Sequence, residues 1–437
     1  METHKAVVKK LKKLLDAHPQ MKRDLEKSLR EAVLLARRGD EEKGIAPLDE
    51  NLYWAIDKEL GGYGWPQNVE NYYNYLDRYV RIIPNEENDE QYPNAWTSDG
   101  TKNGYNQKVY DLLCQSYWLL DQNLEDDPEK PIRTIQSYDK FADWLVEFAN
   151  AWGSFLDTEE SLTVASLDSF EHDTMYNMHW YNKNKPTWKT FNQFFYREFN
   201  DADPETGLSP LRPISSPNNN TNVVSPADCT YKMFYPIVKG NVLSPEGERL
   251  KHTHSIGTIA ELLDGSKYAK DFDNGTFIHY FLSPFDYHRF HTPVSGKVLE
   301  IRAITGQVYL NVNMGDGQFH APDDSESDDT QVGYEFTQAR GLIVIDAGKD
   351  VGKVAVLPIG MCQVSGVMMY DGTDPSLPVN LTNKEVVKGQ EFGKFRFGGS
   401  DIIMVFEKPP TDLYMFRNDP SHVPIHFQYG QTAVYVK

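Results

Sequence analysis

The chain has 437 residues, 40% of them hydrophobic, with 64 acidic against 44 basic side chains and a formal charge of −20. That length covers two or three domains with a sizeable core and excludes global disorder. The acidic balance argues against nucleic acid and against docking on an anionic membrane, and no apolar run reaches the roughly 18–20 residues that span a bilayer.

Residues 1–38 read as one or two charged amphipathic helices ended by Gly39, with Val7, Leu11, Leu14 and Leu15 at helical spacing. The acidic residues that follow favour a helix packed on its own domain over one lying on a membrane surface. Residues 45–160 are rich in Trp and Tyr, and stretches such as YDKFADWLVEFANAWGSFL repeat apolar residues every three or four positions. Helices with aromatic core packing follow from that pattern. After about residue 165 Pro, Asn and Gly rise, and short β-rich segments alternate with turns: TFIHYFLSP, GKVLEIRAI, GLIVIDAG, KVAVLPIG, DIIMVFE. This spacing predicts an antiparallel sheet domain. One helix interrupts it, IGTIAELLDG, closed by Gly265. His252 and His254 precede that helix, and contact with a substrate is the less favoured reading of them. The acidic loop at 321–330 lacks EF-hand spacing and reads as solvated. PVSGKV (293–298) and VKGQEFGKF (387–395) are two β-turn-β pieces that belong together. The expected class is α+β: a helical domain over 1–170, then a mostly antiparallel β domain over 171–437.

Three cysteines with no CxxC suit a reducing cytoplasm. The densest reactive cluster is SPFDYHRFHTPVSGKV, with His288 and His291 three apart. On a helix they would share a face, but no further ligand pattern supports zinc, so no metal is expected. A second feature is FRFGGSDIIMVFE, where Gly398, Gly399 and Ser400 break a strand-like run.

DYHRFHTPVSGKV resembles the histidine motif of phosphatidylserine decarboxylases. VVSPADCTY (223–231) resembles that family's PADG segment, with Cys229 where glycine is usual. TFNQFFYREF (190–199) and LRPI (211–214) resemble the entry to its catalytic domain, and FGKFRFGGSD its C-terminal LGST/GGS motif. The four pieces stand in the family's order over about 185–410. The region before them, ending AWGSFLDTEES, is similar to the N-terminal extension of a soluble branch that includes a fungal tryptophan decarboxylase. The resemblance implies self-cleavage between Gly399 and Ser400, giving a large and a small chain, and conversion of Ser400 into a pyruvoyl cofactor. His291 would be the base for that step and Asp228 its orienter. His288 would deliver a proton to the substrate after CO2 leaves a Schiff base. Tyr287 and Phe290 flank the histidines and are candidates for the substrate pocket.

The acidic, aromatic-rich extension, with no visible anchor, favours a soluble amino acid substrate, such as aromatic tryptophan, over the alternative, a serine phospholipid decarboxylated to phosphatidylethanolamine. Asp401 stands where many family members have threonine. A carboxylate beside the scission site motivates a further alternative, an unprocessed binding protein on the same scaffold. The sequence leaves oligomeric state open.

Overall fold

A computed structural model describes residues 2–437 apart from 88, 97–106, 126–132, 183, 184, 208, 244–256, 309–311, 321–333, 361–365, 375, 378 and 417–424. His252, His254 and the acidic loop lie outside the described residues. The chain divides into two compact units. One contains residues 1–178, 187–194 and 307–325; the other contains 179–186, 195–306 and 326–437.

The first unit is mainly helical: α1 Glu2–Ala17, α2 Pro19–Arg38, α3 Glu50–Glu59, α4 Val69–Tyr79, α5 Lys108–Trp118, α6 Asp139–Leu156 and α7 Val164–His172. Gly39 ends α2 at φ +66, a conformation that only glycine adopts cheaply. The apolar stripe of α1 is buried at Val7, Val8, Leu11 and Leu15, so this basic helix spends its apolar face inside its own unit. The aromatic residues are core, and their polar edges are satisfied. Trp144 Nε1 donates to Val7 O at 2.9 Å and Trp118 Nε1 to Ala32 O at 2.9 Å. A hairpin from later in the chain, Asn313–Gly315 with Gln318–His320, belongs to this unit and lays Phe319 against Trp65.

The second unit is built on one large antiparallel sheet. Its spatial order is Glu385–Val386, Gly296–Ile304, Arg340–Asp346, Lys353–Gly360, Ser400–Phe406, Thr276–Leu282, Cys229–Val238, His426–Phe427. The central strands are buried on both faces, which is why they read as continuous apolar runs rather than alternating ones. The expected short helix covers one side at Ile259–Leu262, capped by Thr258, with Gly265 after it at φ +70. A smaller sheet orders Val367–Met369, Glu391–Phe395 and Arg289–His291. The two glycine-bearing pieces meet as expected: Lys388 N donates to Ser295 Oγ at 2.8 Å, and just before the second piece Glu385–Val386 pairs with Gly296–Lys297.

Candidate active site

Ser400 is the first residue of its strand. The chain leaves the small sheet at Phe395, passes Gly398 at φ +146, and enters the large sheet at Ser400. Gly398 takes a backbone conformation closed to most side chains, and this permits the crossing between sheets. Ser400 is fully buried, and its Oγ has no hydrogen-bond partner among the described residues. Leaving a buried hydroxyl unpaired costs on the order of 1–3 kcal/mol, so the group calls for a functional account. An unpartnered hydroxyl next to Gly399 fits a pyruvoyl precursor: among the described residues nothing competes for its lone pairs, and the preceding residue carries no Cβ.

His288 is fully buried with its ring stacked on Phe195, centroids 3.9 Å apart. Its Nε2 lies 3.3 Å from the carbonyl of Pro284, which can only accept, so Nε2 carries the hydrogen and Nδ1 is bare and without a partner among the described residues. Burial, aided by the Arg197 charge, pushes its pKa down to about 3. The turn carrying Pro284 is fixed by Asp286, which accepts from Ser283 N at 2.8 Å and from His426, and by Arg197, which donates to Phe285 O at 2.7 Å. Phe395 N donates to His288 O at 2.9 Å, tying the histidine segment to the strand that leads to Ser400.

His291 faces another wall. Its segment is a strand, Arg289–His291, so the helical geometry that would have put both rings on one face does not apply. Nδ1 lies 2.9 Å from Gly389 O and Nε2 lies 3.2 Å from the Tyr287 hydroxyl; the ring stacks flat on Tyr429, centroids 3.9 Å apart at 4°. The Tyr287 phenol, pushed well above its ordinary pKa by burial, stays protonated and donates to Nε2. Burial lowers the pKa of His291, partly offset by the charge of Glu391.

Asp228 does not hydrogen-bond His291, contrary to the orienting role expected of it. The Gly389 carbonyl takes Nδ1 instead. Asp228 is buried and accepts Arg212 Nη2 at 2.7 Å, Arg212 Nε at 3.3 Å and Tyr429 N at 2.8 Å. It therefore reaches His291 through the tyrosine whose ring lies on the imidazole. Phe290, expected to line the pocket, packs against Phe392 and Phe395, in the space left by Gly393. Tyr287 stacks on Phe199 at 4.3 Å besides meeting His291. The sequence reading gave no role to Arg212, Tyr429 or Gly389. Arg212 stood inside LRPI, where a basic residue between apolar neighbours was the available signal; Tyr429 and Gly389 carried none.

Together these features define the class: an α+β protein whose β unit carries a serine fit to become a pyruvoyl group. The family model "Phosphatidylserine decarboxylase" matches residues 191–434, more than half of the chain. The chain belongs to the phosphatidylserine decarboxylase family. A phosphatidylserine decarboxylase proenzyme 2 of Komagataella phaffii is 31% identical over 53% of this chain and 19% of its own length. Phosphatidylserine decarboxylase proenzymes of Fusobacterium nucleatum and Clostridium novyi are 29% and 30% identical over 55% and 60% of this chain, covering 68% and 75% of their own. The chain thus spans about a fifth of the fungal relative's length. Residues 1–190 fall outside the family match.

Proposed function

We propose that this chain cuts itself between Gly399 and Ser400 and then decarboxylates phosphatidylserine to phosphatidylethanolamine. The observation that carries the reading is the buried, unpartnered Ser400 Oγ behind Gly399, inside the family match. Ser400 Oγ attacks the Gly399 carbonyl carbon, the peptide C–N bond breaks, and the freed nitrogen takes the hydroxyl proton. Elimination then releases the chain ending in the Gly399 carboxylate. Water replaces the nitrogen at residue 400, which departs as ammonia, and leaves a ketone. His291, braced by Tyr287, Tyr429 and the Gly389 carbonyl, handles the proton at Nε2. The resulting pyruvoyl ketone supplies the electron sink for loss of CO2. His288, neutral with a bare Nδ1, holds and returns the proton that the substrate carbon needs.

The composition favoured a free amino acid, aromatic such as tryptophan. The relatives described above carry the phospholipid name, and this weight moves the preference to the lipid. The acid-rich segment before residue 191, outside the family match, supports the amino acid as a second reading. Among the described residues no helix is long and apolar enough to cross a membrane.

Denaturing mass spectrometry tests the processing. The expected result is one chain ending at Gly399 and a small chain with a blocked N-terminus, while Ser400→Ala stays whole. A single full-length mass after long incubation would remove the enzyme reading. Serine phospholipid vesicles and free amino acids offered in parallel decide the substrate, read as CO2 and amine. Turnover confined to amino acids would overturn the lipid assignment.

A further inference from the structure

Scission before Ser400 would put residues 400–437 on the small chain and leave His288 and His291 on the large one. A short run of the small chain nevertheless reaches the surroundings of both histidines. Tyr231 N donates to Ile425 O at 2.8 Å, His426–Phe427 pairs with Cys229–Thr230, and Gly430 N donates to Ser225 O at 3.0 Å. On this run Tyr429 lays its ring on His291, and His426 Nε2 lies 2.8 Å from Asp286 Oδ1.

Asp286 closes the turn that leads into His288. Its backbone N donates to Ser283 O at 2.9 Å, and its Oδ2 accepts Ser283 N at 2.8 Å. Pro284 sits inside the turn and offers its carbonyl to His288 Nε2 at 3.3 Å. An ionised carboxylate can only accept, so His426 Nε2 carries the hydrogen of its contact with Asp286. Asp286 is buried, and a buried carboxylate short of a donor is costly, so its place depends on this bond. The other charges acting on the pair are Asp228 and Arg212, and these satisfy each other at 2.7 Å. Among the described residues His426 is therefore the side-chain donor to Asp286. Its own side chain is 39% exposed, so replacing it does not open the core.

We propose that His426 is a positioning residue for proton return. Through Asp286 it holds the turn from Ser283 to His288, and the Pro284 carbonyl then keeps the hydrogen of His288 on Nε2 and leaves Nδ1 open to take a proton. A slack turn would let that hydrogen exchange with water or settle on Nδ1, which then no longer accepts. His426 acts after scission and across the two chains, since His288 takes no part in breaking the peptide bond. The inference rests on the decarboxylase reading, while the link from His426 to His288 is read from the geometry alone.

The test has two arms. In the uncleaved Ser400→Ala chain with isotope-labelled histidine, nuclear magnetic resonance reads exchange of the His288 Nε2 hydrogen with water. His426→Leu should quicken that exchange at least about tenfold, because the turn opens locally. In the processing chain His426→Leu should give the same two fragments, then lose about tenfold in kcat with KM within about twofold. His426→Gln, whose amide places a donor where Nε2 stood, should keep parental exchange and kcat. Asp286→Ala should lose at least as much as His426→Leu, and the double variant should be no slower than Asp286→Ala. Thermal unfolding in the Ser400→Ala background checks folding; if His426→Leu unfolds early, His426→Asn, too short to reach Asp286, takes its place. Parental exchange at His288 in His426→Leu, an additive double variant, or a Gln variant as slow as the Leu one would overturn the link. So would scission slowed as much as kcat, which is the signature of general damage. A parent chain that cleaves but turns over neither serine phospholipid nor free amino acid overturns the decarboxylase reading and the proton-return role with it.

Discussion

Replacing Arg212 with methionine isolates the buried pair that supports the site. Arg212 and Asp228 have side chains only 3% and 6% exposed and meet through two hydrogen bonds. The guanidinium also lies over Phe199 at 4.3 Å and Trp180 at 4.6 Å. Methionine keeps most of the volume but leaves the Asp228 carboxylate buried with one donor, Tyr429 N. Stranding a buried charge costs about 3–5 kcal/mol, and the lost cation–π contacts add about 1 kcal/mol. A typical domain has only about 5–15 kcal/mol in hand, so the β unit should unfold at far lower urea. The assay is urea unfolding in the Ser400→Ala background, which keeps the chain in one piece. Arg212→Met/Asp228→Asn should recover at least half of the loss, because the amide no longer strands a charge. Arg212→Lys should fall between, since an ammonium cannot reproduce the two-pronged contact or the stacking. A cost below about 1 kcal/mol for Arg212→Met, or no recovery in the double variant, would refute the account. Tyr429 links this pair to His291, so Arg212→Met should also slow chain cleavage.

His288 makes a pH prediction. Its pKa is about 3 in the folded chain against an ordinary 6.5, so the unfolded chain binds the extra proton between those values. The buried neutral form contributes fully above pH 6.5, and that contribution is lost as pH falls toward 3. Unfolding of His288→Gln measured across this window should show a shallower acid slope than the parent; equal slopes would contradict burial as the cause. Gly393→Ala should cost about 1–3 kcal/mol or more, because its Cβ would meet Phe290 Cε2 at 2.2 Å and Met368 O at 2.3 Å. Phe290→Ala should not rescue it, since the Met368 carbonyl is backbone. Lys388→Met would leave the carbonyls of Ser216, Asn219 and Asn222 without the ammonium that now reaches each within 2.8 Å; a loss of about 1–3 kcal/mol in urea unfolding is expected.

What was legible in the sequence was local. Helical spacing announced α1, α2 and α6, Gly39 marked the stop of α2 and Gly265 that of the short helix Ile259–Leu262, and β-branched runs announced the central strands. Four motifs in order were enough to single out Ser400, His288, His291 and Asp228. Pairings that depend on three-dimensional register were not legible. HxxH suggested a shared face only if the segment were helical; as a strand it sends His288 toward Phe195 and His291 toward Tyr429. Asp228 stood in the right motif for an orienter, yet its partner is Arg212, and no periodicity links those positions. The hairpin 313–320 looks like any strand pair of the β region, but aromatic packing against Trp65 places it in the helical unit.

His279 shows most clearly why such gaps arise. TFIHYFL reads as an apolar strand with one tolerated histidine, and nothing nearby in the chain suggests a charge for it. Its partners come from segments that only the antiparallel register of Thr276–Leu282 against Ser400–Phe406 brings near. The sequence did raise a doubt at Asp401, as a carboxylate beside a bond that must break. Placed in the sheet, that carboxylate lies 3.4 Å from His279 Nε2, and Glu335 Oε1 lies 3.6 Å from the ring's Nδ1.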